Sequence, residues 1–534
     1  MAGGSEADEK RAGATVETDV LVVGAGPTGL MLANWLRRLG IRVVVVDAKS
    51  GTTRESRAIV VQARSMEIYE QLGLIDEVLP RVTTIRLLAP GFERTRFSTI
   101  PIGALGAGLT RFASLSVLEQ SRNEALLYEN LRSVGGDVLW RHSLASITEI
   151  EGTDGADGGI EAVPADPAAP RIRARFCVGA DGAGSFVRQS RGIAFEGTTN
   201  AHVFYVCDAI GVTGLTADAV NVVPSPRDVL LTFPLGDGDH HRLIGIARAP
   251  LGEQAGAVEE GPVRALLERE FGVTWGRSTW FATYRVHHRV AARFRDGPFF
   301  LAGDAAHVHS PVGAQGMNTG LQDAHNLALK LAEVISGTAD VAWLDHYEIE
   351  RRPVAQRLIR STDRVFAAVT SDTRRARLAR RALVPALAPL LTRVIPRVGG
   401  ASRLFGYLSQ IRVHYWASGS EKARARGSRD PVVGRRLPWT GENHACLAAV
   451  EWQVHSYGGG AVRREQGDRI GETLGMAAVH FATTGGSLLS VDDVYLVRPD
   501  GFVAARARPA VALAVFRARL AEFGRTRPVG PVAG

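Results

Sequence analysis

Residues 18–30 read TDVLVVGAGPTGL, and Asp47 follows at the end of the next apolar run. The β-branched residues 20–23 predict a buried strand, and residues 30–39 predict an amphipathic helix. Residues 41–46 predict a second buried strand. We therefore expect a β-α-β unit with an acidic side chain at the tip of its second strand.

The glycines of this stretch have the G-x-G-x-x-G spacing, at Gly24, Gly26 and Gly29, with Pro27 among them. In a β-α-β unit the first glycine makes the tight turn, the second lets a pyrophosphate approach the backbone, and the third lets helix and strand pack closely. The pyrophosphate lies on the positive end of the helix. Asp47 follows at about the 20-residue spacing at which a carboxylate binds ribose hydroxyls. These five residues predict an adenine-dinucleotide site, and the alternative is a glycine-rich turn without a ligand.

The composition is that of a soluble globular protein, with 45% hydrophobic and 22% charged residues among 534. This length predicts two or three domains. The net charge of +8 favours anionic ligands such as dinucleotide phosphates and is weak evidence for nucleic acid. Residues 1–17 are polar and predict a disordered tail rather than a signal peptide, and no apolar run approaches the roughly 18 residues of a membrane span.

The three cysteines, Cys177, Cys207 and Cys446, have neither CxxC nor metal-ligand spacing. This pattern predicts a reducing cytoplasm and no metal site. We expect a small-molecule partner and neither nucleic acid nor a membrane, while a homodimer stays open.

A second motif lies in residues 298–332, PFFLAGDAAHVHSPVGAQGMNTGLQDAHNLALKLA. A short strand ends at Gly303-Asp304, and a glycine turn at 313–316 opens a long helix from about Met317. A carboxylate beside a helix N-terminus suits a ligand with both sugar-alcohol hydroxyls and an electron-poor ring. The ribityl chain and isoalloxazine ring of FAD meet that description better than NAD does.

A third motif, CVGADGAGSFVRQSRGI at 177–193, is a predicted strand that ends in Asp181-Gly182 and leads into a helix. Elsewhere, residues 82–116 and 194–285 alternate apolar and polar positions, which predicts a mixed sheet in a separate lobe. Residues 374–397 predict a basic, solvated helix that its prolines interrupt; a membrane-surface helix is the less favoured alternative. From Asp430 a last small α/β unit is expected.

Together the three motifs resemble those of the flavoprotein aromatic hydroxylases, the single-component FAD monooxygenases with the para-hydroxybenzoate hydroxylase fold. RDPVVGRRLP at 429–438 and LVRPDGFVAARA at 496–507 resemble the C-terminal thioredoxin-like domain of phenol hydroxylases and aromatic polyketide hydroxylases. The resemblance implies an α/β fold made of a Rossmann-type FAD-binding domain, an inserted mixed-sheet substrate lobe and a thioredoxin-like domain. The implied bounds are 18–193 with 286–410, 82–116 with 194–285, and 411–534.

The resemblance also implies roles for individual residues. The three glycines and Pro27 would hold the FAD pyrophosphate and Asp47 the adenosine ribose, while Asp181 would hold the loops around FAD. The other implied FAD contacts are Arg57 and Gln120 at the side, Gly303 and Asp304 at the ribityl chain, and Gly316, Met317 and Asn318 at the isoalloxazine ring. Pro311 would lie near the reacting flavin edge. Tyr205, Phe233 and Pro234 would contact the substrate.

The implied reaction is hydroxylation of a phenolic or polyphenolic aromatic, such as a polycyclic polyketide intermediate of antibiotic biosynthesis, with NADPH or NADH as a transient reductant and O₂. The family implies oxygen transfer from a flavin C4a-hydroperoxide. A base near a phenolic substrate is expected, and Tyr205, His202, Tyr284 and His287 are candidates that ordinary strand positions would equally explain. His307 and His309 are interpreted as residues behind the flavin site, because no further ligand completes a metal site.

Several alternatives remain. The same scaffold would serve a Baeyer–Villiger or epoxidising oxygenase, which sequence does not separate from a hydroxylase. A flavin halogenase is disfavoured because the chain contains no Trp-x-Trp-x-Ile-Pro motif. A non-catalytic flavin-binding protein would bind FAD without substrate-stimulated NAD(P)H consumption. A C-terminal domain without a dithiol favours packing or dimerisation over redox work.

Overall fold

The computed structural model describes residues 15–54, 58–152, 158–226, 228–236, 239–247, 258–309, 314–370, 373–394, 400–415, 430–458, 460–482 and 488–525. The first twelve strands are β1 Thr15–Val23, β2 Val43–Asp47, β3 Val60–Val61, β4 Thr83–Ile85, β5 Leu87–Phe92, β6 Thr95–Arg96, β7 Ile100–Pro101, β8 Leu115–Val117, β9 Val138–Trp140, β10 Leu144–Ile150, β11 Gly159–Pro164 and β12 Arg171–Gly179. The others are β13 Phe195–Ile210, β14 Ala219–Pro224, β15 Val229–Pro234, β16 His241–Ala247, β17 Arg277–Ala291, β18 Arg295–Asp296, β19 Phe299–Leu301, β20 His307–Val308, β21 Gln453–Tyr457, β22 Ala477–Phe481, β23 Val494–Val497 and β24 Val503–Ala507.

The helices are α1 Pro27–Arg38, α2 Ala63–Leu72, α3 Ile75–Val78, α4 Ile102–Gly106, α5 Gln120–Ser133, α6 Phe186–Ser190, α7 Glu260–Phe271, α8 Gly316–Ile335, α9 Asp345–Thr370, α10 Arg374–Val394, α11 Gly400–Leu408, α12 Ala461–Leu474 and α13 Pro509–Glu522. None of the described helices is both long and apolar enough to cross a membrane.

The first sheet contains the predicted β-α-β unit. Its strand order is β10-β11-β12-β1-β2-β9, with β19 and β18 beyond β12. Strand β1 is parallel to both β2 and β12, and β19 is parallel to β12. The carboxyl ends of β1, β2, β12 and β19 therefore lie along one edge of the sheet, and each is followed by one of the sequence motifs. Strand β1 begins at Thr15, so its first residues belong to the sheet and not to the predicted tail.

The second sheet has nine strands and lies across that edge. Its order is β20-β17-β13-β16-β15-β14-β5-β6, with β7 paired to β5. Strands from both segments predicted to form the substrate lobe, 82–116 and 194–285, therefore share one sheet. Strands β4 and β8 are exceptions, because they belong to a separate three-stranded sheet in which β8 lies between β3 and β4.

Three local predictions are wrong in their bounds. The sequence pattern of residues 117–134 predicts a helix, but that helix begins at Gln120, because residues 115–117 form β8. Residues 152–169 are acidic and rich in Gly, Ala and Pro, which predicts an exposed loop, but they contain β11, which pairs with β10 and β12. Helix α10 continues through Pro385 and Pro389 instead of breaking there. A proline removes one helical hydrogen bond, and in a helix this exposed, water can satisfy the freed carbonyl.

The C-terminal unit is a four-stranded sheet of order β22-β21-β23-β24, flanked by α12 and α13. Strand β22 is parallel to β21, while β23 is antiparallel to β21 and to β24. Buried ion pairs attach the unit to the rest of the chain, among them Arg436–Glu67 at 2.9 Å and Arg498–Glu350 at 2.6 Å. Its assignment as thioredoxin-like stays a prediction, as do the domain bounds.

Candidate active site

One large cavity of about 1120 Å³ lies between the carboxyl edge of the first sheet and the nine-stranded sheet. We divide its lining into two regions. The dinucleotide arm is lined by loops after the strands of the first sheet, with Gly24, Gly26, Pro27, Asp47, Gln120, Glu124, His142 and residues 180–184. The apolar chamber is lined by Leu88, Leu105, Phe204, Val220, Val222, Val229, Leu231, Phe233, Ile244, Ile246, Val286 and Phe405. Asp304 and the start of α8, residues 315–317, also line the cavity.

The three glycines of the G-x-G-x-x-G motif each meet a different steric requirement. Gly24 has φ +106°, and a Cβ there would lie 2.4 Å from the carbonyl oxygen of Ala180. A Cβ on Gly29 would lie 1.9 Å from the carbonyl oxygen of Gly24, so helix α1 packs directly on the turn. A Cβ on Gly26 would meet no protein atom within 4 Å, although this residue lines the cavity. The protein therefore leaves space beside the Gly26 backbone at the N-terminus of α1.

Asp47 is fixed by backbone donors at the tip of β2. Its Oδ2 accepts a hydrogen bond from Ala25 N–H at 2.7 Å, and its Oδ1 accepts one from Lys49 N–H at 2.8 Å. Lys49 Nζ lies 3.7 Å from Asp47 Oδ2 and 3.8 Å from Glu124 Oε2. The carboxylate is thus held in one orientation at the cavity edge.

Gln120 and Glu124 lie one turn apart on α5 and both line the arm. Gln120 Nε2 donates to Glu124 Oε1 at 2.9 Å, and Thr53 N–H donates to Glu124 Oε2 at 2.9 Å. The N–H of Ala58 donates to Gln120 Oε1 at 3.3 Å. These contacts tie helix α5 to the loop that follows β2.

Asp181 begins the loop after β12, and Ala180, Gly182, Ala183 and Gly184 line the arm with it. Its Oδ2 accepts from Val187 N–H at 3.2 Å, while its buried Oδ1 has no hydrogen-bond partner among the described residues. Burial raises the pKa of this carboxyl above its ordinary value. Asp181 is therefore a carboxyl group beside the cavity whose pKa is raised by burial, which is typical of a functional position.

The second motif forms a short turn at Gly303–Ala305 and then strand β20 before helix α8. Asp304 is exposed on this turn and lines the cavity. Helix α8 begins at Gly316, without an acidic side chain in its first turn, and Gly316 and Met317 line the cavity. Two helix N-termini, those of α1 and α8, thus point their unsatisfied N–H groups at one cavity.

Asn318 does not line the cavity, contrary to the direct contact that we predicted. Its side chain is fully buried and holds the start of α8 in place. Oδ1 accepts from Gln62 N–H at 2.7 Å and from Ser65 Oγ at 2.8 Å, and Nδ2 donates to the carbonyl oxygens of Val60 and Ala314. All of the hydrogen-bonding capacity of its side-chain amide is used by the protein.

The apolar chamber follows from strand alternation. Successive side chains of a strand point to opposite faces, so every second residue shares one face. Val229, Leu231 and Phe233 of β15 and Ile244 and Ile246 of β16 line the cavity. The chamber ceiling is therefore an apolar sheet face, and Leu105 of α4 with Phe405 of α11 closes it from another side.

The same alternation corrects one substrate contact. Phe204 lines the chamber, so its neighbour Tyr205 points to the opposite face, where it is fully buried in the cluster formed with helix α7. The Tyr205 ring covers Gly245, whose Cβ would lie 2.1 Å from the tyrosine hydroxyl. Phe233 lines the cavity, whereas Pro234 does not, and the predicted contact of Phe233 with the substrate stays a prediction.

Two of the four candidate bases, Tyr284 and His287 of β17, line the cavity. His287 Nδ1 lies 3.0 Å from Thr199 Oγ1, which also accepts from Arg289 Nη2 at 3.0 Å. Tyr205 is excluded by its position, and the side chain of His202 lies outside the described part of the structure. Arg57 and Pro311 also lie outside the described residues, so their roles stay predictions.

The two histidines of the second motif differ. His309 lines the cavity, whereas His307 is buried beneath the turn, with Nε2 2.7 Å from Asp323 Oδ2. Within the described ranges, no group of three or more His, Cys, Asp or Glu side chains could hold a metal ion.

Sequence reasoning missed Glu124, His142 and Gln315 of the lining, and also Phe204 and the isoleucines of β16. The i, i+4 spacing from Gln120 could have indicated Glu124. His142 is buried, its Nε2 has no described partner, and burial lowers its pKa. No motif in the sequence marks this histidine.

FAD satisfies these features. The space beside Gly26 and the two helix N-termini suit its pyrophosphate and its electron-poor ring, and the fixed carboxylate of Asp47 suits its ribose hydroxyls. The cavity exceeds the roughly 300–1,000 Å³ of ordinary small-molecule sites, which leaves the chamber for a second ligand.

Comparisons with known proteins agree with this geometry. The family model described as "FAD binding domain" matches residues 17–362. A 6-methylpretetramide 4-monooxygenase from Streptomyces rimosus is 30% identical over 519 residues, which cover 91% of this chain and 90% of that protein. A rifampicin monooxygenase from Rhodococcus hoagii is 30% identical over 502 residues, which cover 91% of this chain and 95% of that protein.

The solved structure of an anhydrotetracycline hydroxylase from Streptomyces rimosus has a TM-score of 0.71 at 27% identity, and the match covers 96% of this chain and 100% of that one. The family match spans more than half of the chain and contains all three motifs. The chain therefore belongs to the family of FAD-dependent monooxygenases that act on aromatic compounds, and FAD is its cofactor.

Proposed function

We propose that this enzyme uses NADPH or NADH and O₂ to hydroxylate a polyphenolic aromatic, and that its substrate is a polycyclic polyketide intermediate. One observation carries the proposal: a wide apolar chamber opens directly onto the start of α8 and the turn that presents Asp304. A flat, extended ring system matches a ceiling built from the side chains of several adjacent strands. The similarity to a 6-methylpretetramide 4-monooxygenase and to an anhydrotetracycline hydroxylase supports the same substrate class.

Bound FAD supplies activation of O₂ and transfer of one oxygen atom to the ring. In this proposal Gly24, Gly26, Pro27 and Gly29 shape the pyrophosphate turn, and Asp47 binds the adenosine ribose. Gln120 and Arg57 contact the cofactor from the side. Gly303 and Asp304 hold the ribityl region, Gly316 and Met317 approach the isoalloxazine ring, and Pro311 lies near its reacting edge.

The chain contributes a dry chamber. Leu231, Phe233, Ile244 and Phe405 would exclude water from the place where oxygen transfer occurs, which would limit loss of the activated oxygen as hydrogen peroxide. Phe233 contacts the substrate directly in this proposal. Asp181 orders the loop at the outer end of the arm, where the nicotinamide reductant approaches.

His287 lines the cavity with an exposed side chain on the face of β17 opposite to that of Val286, and it is our candidate for the acceptor of a phenolic proton outside the apolar chamber. When its Nδ1–H donates to Thr199 Oγ1, which also accepts from Arg289, Nε2 remains as the ring atom that can accept a proton. Partial removal of that proton makes the ring more nucleophilic. Tyr284 is the other candidate on the same strand.

The test is a screen of NADPH and NADH oxidation against hydroxylated anthraquinones and tetracyclic phenols, with product masses measured. We expect substrate-stimulated consumption of the reductant and a product heavier by one oxygen atom. Product connectivity separates ring hydroxylation from epoxidation and from insertion into a C–C bond. FAD binding without stimulated consumption would contradict the proposed reaction.

A further inference from the structure

A buried chain of polar side chains lies beneath the Gly303–Ala305 turn. Asp323 of α8 is fully buried, and its Oδ2 accepts hydrogen bonds from Gly303 N–H at 3.1 Å and His307 Nε2 at 2.7 Å. Its Oδ1 accepts from Arg351 Nε at 2.6 Å. None of these side chains reaches the cavity, yet Gly303 directly precedes Asp304, which does.

The Gly303–Ala305 turn also packs closely against α1 and α8. Gly303 has φ +60°, and a Cβ there would lie 2.5 Å from Thr28 Oγ1. A Cβ on Gly320 would lie 2.3 Å from the same oxygen and 3.2 Å from Gly303 Cα. The turn therefore packs on the backbone of α8 at Gly320 and on the Thr28 side chain of α1, and the Asp323 carboxylate accepts from the Gly303 N–H.

The chain of contacts continues to the C-terminal unit. Arg351 is fully buried and donates from Nη1 to Tyr415 Oη at 3.2 Å and from Nη2 to the carbonyl oxygen of Thr319 at 3.2 Å. Tyr415 stacks on Phe502 with ring centroids 4.0 Å apart, and its N–H donates to the carbonyl oxygen of Gly434 at 2.7 Å. Four hydrogen bonds in series thus join Gly434 to the turn, through Tyr415, Arg351 and Asp323.

The electrostatics favour one charge state. Burial would raise the pKa of Asp323, but the charges and hydrogen bonds of Arg351 and His307 hold it below its ordinary value. The carboxylate is therefore ionised at neutral pH, and it can accept from all three donors at once.

The geometry points to Asp323 and Arg351 as residues that position FAD, because they hold the Gly303–Asp304 turn. Tyr415 links the C-terminal unit to that turn through its hydrogen bond with Arg351. This inference rests on the proposed role of Asp304 at the cofactor. It also gives the C-terminal unit a function that requires no dithiol.

The experiment compares Asp323→Asn with Asp208→Asn in the full-length chain. Asp208 is a matched control, because it is a buried aspartate that accepts two hydrogen bonds from the buried Arg242, each at 2.6 Å. It lies on β13 of the nine-stranded sheet and not at the turn. The readouts are the Kd for FAD, from quenching of flavin fluorescence, and the thermal midpoint of each apoprotein. We expect both variants to lower the midpoint, and only Asp323→Asn to raise the Kd, by at least tenfold.

Tyr415→Phe keeps the test decisive if Asp323→Asn fails to fold. It removes one hydroxyl and should raise the Kd for FAD about threefold, whereas Tyr457→Phe, which removes a buried hydroxyl within the C-terminal unit, should leave it within twofold. Equal Kd values in Asp323→Asn and Asp208→Asn, or in Tyr415→Phe and wild type, would overturn the inference alone. A wild-type chain that binds no FAD would overturn the proposed function as well.

Discussion

The dinucleotide arm and the apolar chamber belong to one cavity but are built by different means. The arm is shaped by backbone: Gly24, which has no space for a Cβ, Gly26, beside which the protein leaves space, helix N-termini, and a carboxylate fixed by N–H groups. The chamber is shaped by the side chains of alternating strand positions. A substitution in the arm therefore acts on the backbone path itself, whereas a substitution in the chamber changes only local volume. We therefore expect single substitutions in the arm to impair FAD binding, and single substitutions in the chamber to change which substrates are accepted.

The largest effect should come from Gly29→Ala. The new Cβ would lie 1.9 Å from the carbonyl oxygen of Gly24, so strand and helix must separate. We expect a loss of unfolding free energy of more than about 3 kcal/mol, measured by urea denaturation of the apoprotein. Gly51→Ala is the control, because its Cβ meets nothing within 4 Å, and its effect should stay within about 0.5 kcal/mol. Equal stabilities of the two variants would contradict the steric account of the arm.

Gly26→Val should separate folding from binding. Gly26 has φ −83° and ψ −176°, which any residue adopts, and no protein atom lies near its Cβ. The apoprotein should therefore keep its thermal midpoint, while the Kd for FAD rises more than about 100-fold because the side chain occupies the space for the pyrophosphate. A flavin fluorescence titration measures this. Unchanged affinity would place the pyrophosphate elsewhere.

Ile244→Trp should show that the chamber is independent of the arm. The indole would project from the ceiling and lower kcat/KM for a tetracyclic phenol by about tenfold, equivalent to about 1.4 kcal/mol, without changing the Kd for FAD. Steady-state NAD(P)H oxidation measures this, and a single-ring phenol is the control substrate that should be spared. Loss of FAD binding in this variant would contradict the independence of the apolar chamber from the dinucleotide arm.

Asp181→Asn should stabilise the apoprotein near neutral pH. Burial raises the folded-state pKa of Asp181 above its ordinary 3.8, so its ionised form is disfavoured in the fold. The stability it contributes is present below pH 3.8 and is lost as the pH rises through the folded-state pKa. The substitution should therefore add about 0.5–2 kcal/mol at pH 7, and the gain should disappear in acid, as thermal melts across pH would show. A gain that does not depend on pH would have another cause.

Cys446→Ser should have the smallest effect. The three cysteines are free, and burial raises the pKa of the Cys446 thiol to about 11, so it is neither a disulfide partner nor a thiolate near neutral pH. Turnover should stay within twofold of wild type. A large loss of turnover would indicate a redox role for the C-terminal unit.

The arm could be predicted from sequence because its motifs are local. Gly24, Gly26 and Asp47 lie within one β-α-β unit, and Asp181 and Asp304 each follow a strand that runs parallel to its neighbour in the same sheet. The edge to which these strands point then follows from topology alone. The family resemblance implies a flavin contact for Asn318, but its side-chain amide holds the start of α8, which only the three-dimensional contacts reveal.

The chamber could be predicted only in outline. Alternation in residues 194–285 indicates a sheet, but not which parity faces the ligand, so Tyr205 was assigned where Phe204 lies. Strand β13 also has an irregularity between Thr199 and Val203 that shifts its pairing with β17. Because one extra residue reverses the faces of a strand, parity cannot be carried across such a point from sequence.

The longest ladder of the molecule joins both regions. Strands β13 and β17 pair from Phe195–Ala291 to Ile210–Arg277, and β17 also pairs with β20, which follows the Asp304 turn. The sheet that lines the apolar chamber and the strand that follows the Asp304 turn thus belong to one hydrogen-bonded ladder. Adapting this enzyme to bulkier compounds by moving whole strands would displace the flavin too, so engineering should trim side chains and leave the ladder intact.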